Sequence, residues 1–87
     1  MGYTLYILKS EIKDRYYIGH TNNLDCRLSE HNSGQTKSTK PYKPWRIVYK
    51  NVYRTKSDAA KAENYLKAKK SKIFIDNLIS GDIALPR

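Results

Sequence analysis

The sequence predicts a small α+β domain: a three-stranded, mostly antiparallel sheet flanked by helices, in the order β-β-α-β-α-α. Three observations lead there. The chain has 87 residues, at the short end for one domain and too few for two. Three short segments rich in β-branched and aromatic residues accompany three segments of helical periodicity. The first two strands are adjacent in sequence, which favours a hairpin over the strand–helix alternation of a doubly wound parallel sheet.

The elements follow in order. Residues 3–9, YTLYILK, predict the first strand and residues 15–19, RYYIG, the second, joined by the polar turn 10–14 as a β-hairpin. If Leu8 pairs with Arg15, Tyr6 stands opposite Tyr17. The period-2 rule then puts both hydroxyls on one face and Tyr3 and Tyr16 on the other. Residues 22–31 predict a helix, with Asn22 and Asp25 resembling a capping box and Gly34 as the stop. Residues 33–44 are rich in Ser, Thr, Lys and Pro without periodicity and read as a basic loop. Residues 45–53, WRIVYKNVY, predict the third strand, and the size and strand position of Trp45 favour a core anchor over a base-stacking ring beside Tyr42. Ser57 is expected to cap a helix running to about Lys70, with Ala59, Ala62 and Leu66 as its apolar stripe. Ser71 opens a third helix bearing Ile75, Leu78 and Ile79, and Gly81 ends it. Residues 1–81 make the domain and 82–87 a short tail.

Charge narrows the function. Seventeen Lys and Arg oppose eight Asp and Glu, a net of +9. Residues 37–72 hold twelve of the basic and two of the acidic side chains, so the excess is concentrated there. Such a distribution favours a polyanion, nucleic acid before an anionic membrane surface. Lys37, Lys40, Lys43, Arg46, Lys67, Lys69 and Lys70 are the expected phosphate contacts. No apolar run is long enough to span a membrane. No basic-then-apolar leader opens the chain, which predicts a cytoplasmic location. The one cysteine, Cys26, excludes an internal disulfide and a cysteine-based zinc cluster.

Polar residues stand where core residues belong. In the first helix, Leu24, Arg27, Leu28 and His31 fall within an arc of about 100° at 3.6 residues per turn. In the second, Ala59, Ala62, Glu63 and Leu66 repeat the spacing. A charge on a buried stripe is costly unless it is paired or binds a ligand. One account is structural: Arg27 and Glu63 form an interhelical ion pair, His31 is a satisfied rim residue, and the tyrosines pack. The other is chemical. Phosphodiester hydrolysis needs a base for water, a cation for the scissile phosphate and a metal to stabilise developing charge. Tyr6 or Tyr17 could be the base if nearby positive charge lowers its pKa. Arg27 could clamp the phosphate, and His20 and His31 could handle protons. Glu63 could hold one Mg²⁺ or Mn²⁺, a hard ion satisfied by one or two carboxylates plus water and phosphate oxygens.

These residues carry a resemblance. Tyr6 ends a degenerate first motif, Thr4-Leu5-Tyr6, and Tyr17-Ile18-Gly19 is an intact second motif. Arg27 follows ten positions after Tyr17, and Glu63 lies in the later helix. With this spacing the chain resembles the GIY-YIG nuclease superfamily, in particular its small single-domain members, over about residues 3–79. The resemblance implies a three-stranded sheet flanked by helices, a divalent metal on Glu63 and one-metal hydrolysis of DNA, with a place in DNA repair or recombination. Tyr6, Tyr17 and Arg27 match catalytic positions. His31 matches a histidine of some branches, and His20 stands where some relatives carry lysine. The expected partner is DNA, branched or single-stranded, within a larger repair or nucleoprotein assembly. The alternatives are a non-catalytic nucleic-acid-binding module and a basic accessory protein that retain the fold.

Overall fold

A computed structural model of the protein describes residues 2–69 and 71–81. Lys70 and the tail 82–87 lie outside the described residues. The strands are β1 (Tyr3–Ser10), β2 (Tyr16–Thr21) and β3 (Trp45–Tyr53), and the helices α1 (Leu24–Ser33), α2 (Lys56–Lys69) and α3 (Lys72–Ser80). The sheet runs β2-β1-β3, with both pairings antiparallel. As the central strand, β1 is covered on both faces, and Leu5, Tyr6, Ile7 and Leu8 are all buried.

Alternation along β1 divides the core into two layers. Leu5 and Ile7 pack with Ala62 and Leu66 of α2 and Ile75 and Leu78 of α3. Tyr6 and Leu8 pack with Trp45, Tyr17, and Leu24 and Leu28 of α1. Trp45 is a core anchor, as its size and strand position predict. Its indole N–H donates to the Thr39 carbonyl at 3.0 Å.

The hairpin register differs from expectation by two residues. Leu8 faces Tyr17, and Tyr6 faces Gly19 rather than Tyr17. The cause is Ser10. Its hydroxyl oxygen accepts from the backbone N–H groups of Ile12 and Lys13 at 3.2 and 3.1 Å. The Ser10 N–H donates to the Arg15 carbonyl. Residues 11–15 are thereby held in a turn, and β2 begins at Tyr16. Because a shift of two is even, Tyr6 and Tyr17 still share a face.

Two caps also move by one or two positions. Asn23, not Asn22, caps α1, its side chain accepting from the Cys26 N–H at 3.1 Å, while Thr21 holds the Asn23 N–H. At α2 the Thr55 hydroxyl, not Ser57, accepts from the Asp58 N–H. Ser71 caps α3 as its position predicts, accepting from Phe74 N–H. Gly34 and Gly81 close α1 and α3 in the left-handed conformation that glycine adopts without steric cost. The loop read as aperiodic contains a short 3-10 turn, Lys40–Tyr42.

Candidate active site

The site grows from the β2 edge of the sheet. Gly19 faces Tyr6 across the hairpin, and a Cβ there would lie 2.7 Å from the Tyr6 hydroxyl and 2.9 Å from its Cζ. The missing side chain lets the Tyr6 ring lie across β2. This is the physical requirement for the glycine of Tyr17-Ile18-Gly19.

Around Tyr6 the α1 face assembles three more groups. The Tyr17 ring stands 6.3 Å from the Tyr6 ring and 4.7 Å from the His31 imidazole, centroid to centroid. His31 is wholly buried rather than at the rim. Its Nε2 is 3.4 Å from the Tyr6 hydroxyl, and its Nδ1 is 2.9 Å from Thr39 Oγ1. The Arg27 guanidinium lies beside the Tyr6 hydroxyl and also donates to Glu30 Oε1 at 2.8 Å. Helical spacing thus does bring Arg27 and His31 to one place, one turn apart on α1.

The electrostatics follow from burial. Desolvation raises the Tyr6 phenol above its ordinary value, the Arg27 hydrogen bond and charge opposing it while Tyr17 and Glu63 add to the rise. Tyr6 is therefore protonated at neutral pH, and the expectation of a phenol lowered by nearby cations is not met in this state. Burial, with the Arg27 charge, lowers His31 below the usual imidazole value and keeps it neutral.

Glu63 approaches from the other layer. Its Oε1 meets His20 Nδ1 at 2.6 Å and its Oε2 the Lys67 ammonium at 2.6 Å. His20 pairs with Leu5 across β1 and β2, so it shares the α2 face and meets the carboxylate, not the phenols. Among the described residues the interhelical Arg27–Glu63 pair does not form, since each finds other partners. Burial alone would raise the Glu63 carboxyl, but the hydrogen bonds and charges of Lys67 and His20 outweigh it and hold the group below its ordinary value.

Among the described residues no cluster of three or more His, Cys, Asp or Glu could hold a metal. A multi-ligand protein cage is therefore excluded there, but an ion resting on one carboxylate fits. The Lys67 ammonium already occupies a cation position on the outer oxygen, and its side chain is 54% exposed. His20 orients the inner oxygen.

The other predicted phosphate contacts are dispersed. Lys37, Lys40, Lys43, Arg46, Lys67 and Lys69 are all exposed. Lys67 borders Glu63. Lys40 and Lys43 pass close to Gly34 at the end of α1. Arg46 pairs with Lys9 across β1 and β3, nearer the hairpin turn, and Lys69 lies over the Tyr65 and Phe74 rings. Lys70 lies outside the described residues. Sequence reasoning missed Thr39, which has no periodic context. It also missed the partners Glu30 and Lys67, although their i,i+3 and i,i+4 spacings were legible. No described helix is long and apolar enough to cross a membrane.

Comparison with known proteins places this geometry. A family model described as the GIY-YIG catalytic domain matches residues 2–77. A UPF0213 protein of Streptococcus pneumoniae is 38% identical over 72 residues, covering 80% of this chain and 73% of the relative. The UPF0213 protein YazA of Bacillus subtilis is 33% identical, covering 82% and 75%. The solution NMR structure of the UPF0213 protein BH0048 from Bacillus halodurans is similar with a TM-score of 0.57 and 30% identity, over 92% of this chain and 84% of that one. The chain therefore belongs to the GIY-YIG catalytic-domain family, alongside the small UPF0213 proteins.

Proposed function

We propose that this chain is a divalent-metal-dependent endonuclease that hydrolyses phosphodiester bonds in DNA. The observation that carries the reading is the convergence of Tyr6, Arg27 and His31 beneath Tyr17, with the Glu63 carboxylate near enough for its charge to bear on the Tyr6 phenol. A module that only bound nucleic acid would need Lys, Arg and stacking aromatics, not a buried phenol–imidazole pair.

The residues divide the work. Arg27, still partly exposed, binds a phosphate oxygen and stabilises the charge that grows on it. Tyr6, held protonated by burial, accepts a proton from the attacking water as it passes its own to neutral His31. The water oxygen bonds to phosphorus as the phosphorus–leaving-oxygen bond breaks, and the leaving oxygen keeps the bond pair and takes a proton from solvent. Tyr17 covers the pair and keeps bulk water from the imidazole. Glu63, oriented by His20, would hold Mg²⁺ or Mn²⁺ after Lys67 yields its place. Held there, such an ion would supply positive charge to offset that on the phosphate and leaving oxygen. Lys67, with Lys37, Lys40, Lys43, Arg46 and Lys69, supplies sequence-independent attraction for the backbone, so binding should weaken with salt. Branched or single-stranded DNA arising in repair or recombination is the substrate class, met alone or within a nucleoprotein assembly.

The test is single-turnover cleavage of branched, nicked and single-stranded DNA and of RNA, with Mg²⁺, Mn²⁺ or EDTA. Wild type should cut DNA only with metal, and Glu63→Gln should bind DNA without cutting it. Salt-sensitive binding with no cleavage of any substrate would overturn the nuclease reading in favour of a non-catalytic nucleic-acid-binding module.

A further inference from the structure

The buried polar groups behind Tyr6 form one continuous line that ends outside the residues of either motif. Thr39, 2% exposed, stands in the basic loop eight positions beyond His31. Its Oγ1 is 2.9 Å from His31 Nδ1 and 3.2 Å from the Thr36 carbonyl oxygen. The loop is anchored at this residue. The Thr39 carbonyl accepts the Trp45 indole N–H, and its backbone N–H donates to Thr36.

The two ends of the line give it a direction. At one end the Arg27 guanidinium is only a donor, and it lies beside the Tyr6 oxygen. The Tyr6 hydrogen therefore needs an acceptor, and in this buried place His31 Nε2 is the nitrogen within reach. At the other end the Thr36 carbonyl is only an acceptor, so it takes the Thr39 hydroxyl hydrogen. Thr39 Oγ1 is then left to accept from His31. A neutral imidazole has one ring proton, and both ends require it on Nδ1. The resulting order is Tyr6 O–H to His31 Nε2, His31 Nδ1–H to Thr39 Oγ1, and Thr39 O–H to the Thr36 carbonyl.

We infer that Thr39 is a positioning residue that fixes the tautomer of His31, keeping Nε2 bare to receive the Tyr6 proton. The inference rests on the nuclease reading for its catalytic consequence but not for the tautomer itself. Thr39 touches no substrate and acts through His31. Thr39→Val keeps the shape and removes the hydroxyl. The Nδ1–H then has no acceptor, the ring proton moves to Nε2, and the imidazole donates to Tyr6 instead of accepting from it.

The experiment reads the tautomer by ¹⁵N-resolved NMR of the imidazole ring in the free protein and measures single-turnover cleavage in parallel. Wild type and Thr39→Ser should carry the His31 proton on Nδ1. Thr39→Val should carry it on Nε2 and lose about 10²-fold in cleavage, the lower end of a general base's contribution, with Thr39→Ser restoring most of it. A wild-type His31 protonated on Nε2 overturns the inference, whether or not Thr39→Val folds. A Thr39→Val variant with the tautomer moved but cleavage at the wild-type rate overturns the positioning role. If wild type cuts nothing, the nuclease reading fails separately, and the ring proton still decides what Thr39 does to His31.

Discussion

The two faces of β1 are one residue apart and are built on different principles. On one, Leu5 and Ile7 meet Leu66, Ile75 and Leu78, a layer of hydrocarbon. Its stabilisation comes from area removed from water and has no direction. On the other, Tyr6 and Leu8 meet Trp45 and Leu28, but the same layer also encloses His31 and Thr39. Every buried side-chain nitrogen and oxygen among the described residues has a partner. The comparison teaches where sensitivity lies. A hydrocarbon layer responds to lost volume, whereas a polar line responds to the loss of one atom, because the group left behind is buried and unsatisfied. Glu63 stands at the edge of the hydrocarbon face, bonded to His20 and Lys67, where its carboxylate need not be enclosed.

Four measurements break or sharpen this contrast. The largest effect is expected of Tyr6→Phe, which removes one oxygen from the polar line. Single-turnover cleavage should fall about 10²–10⁴-fold, while melting records a loss of only about 1–3 kcal/mol from the unpaired imidazole. Cleavage at the wild-type rate would break the comparison and the role given to Tyr6. Leu66→Ala tests the opposite face. Urea unfolding should show about 2–5 kcal/mol lost, with cleavage per folded molecule unchanged. A selective loss of activity in that variant would mean the two layers are not independent.

Gly19→Ala probes the polar face by crowding rather than by removing an atom, since its Cβ would meet the Tyr6 hydroxyl and Cζ. Overpacking of this kind costs about 1–3 kcal/mol. Cleavage should drop more than stability alone explains, because the phenol is pushed from His31. The smallest effect concerns acid. The Glu63 carboxyl is held below its ordinary value of 4.5, so its contribution is fully present above that pH and is lost as pH falls through the lowered value. Wild type should be more stable than Glu63→Gln at neutral pH, and the gap should close on acidification. A gap that persists unchanged into strong acid would show that the carboxylate's partners do not stabilise its charge.

Much of the fold was legible because its causes are local. The apolar alternation of residues 3–9, the helical stripe of Ala59, Ala62 and Leu66, the cap at Ser71 and the stops at Gly34 and Gly81 each depend on neighbours within a few positions. The caps at Asn23 and Thr55 were less legible, since Asn22 and Ser57 have equally suitable side chains and backbone geometry chooses between neighbours. The candidate site was legible as a list of residues on particular faces. Helical spacing put Arg27 with His31, a grouping the hairpin register does not touch, and strand parity put Tyr6 with Tyr17, a grouping that survives a register shift of two because side-chain direction repeats every second residue.

By itself, then, the sequence determined the element order, the faces and the residue types available to the site, because those follow from backbone periodicity and local hydrogen bonding. Tertiary structure alone decided who bonds to whom. Ser10 set the hairpin register through a turn that leaves no periodic trace. Glu63 went to His20 and Lys67 instead of Arg27 because the two helices cover opposite faces of one sheet. His31 became a buried neutral acceptor because a loop without periodicity delivered Thr39 to its far nitrogen. A hydrogen bond depends on distances of a few ångströms between atoms, and only packing of the whole chain sets those distances.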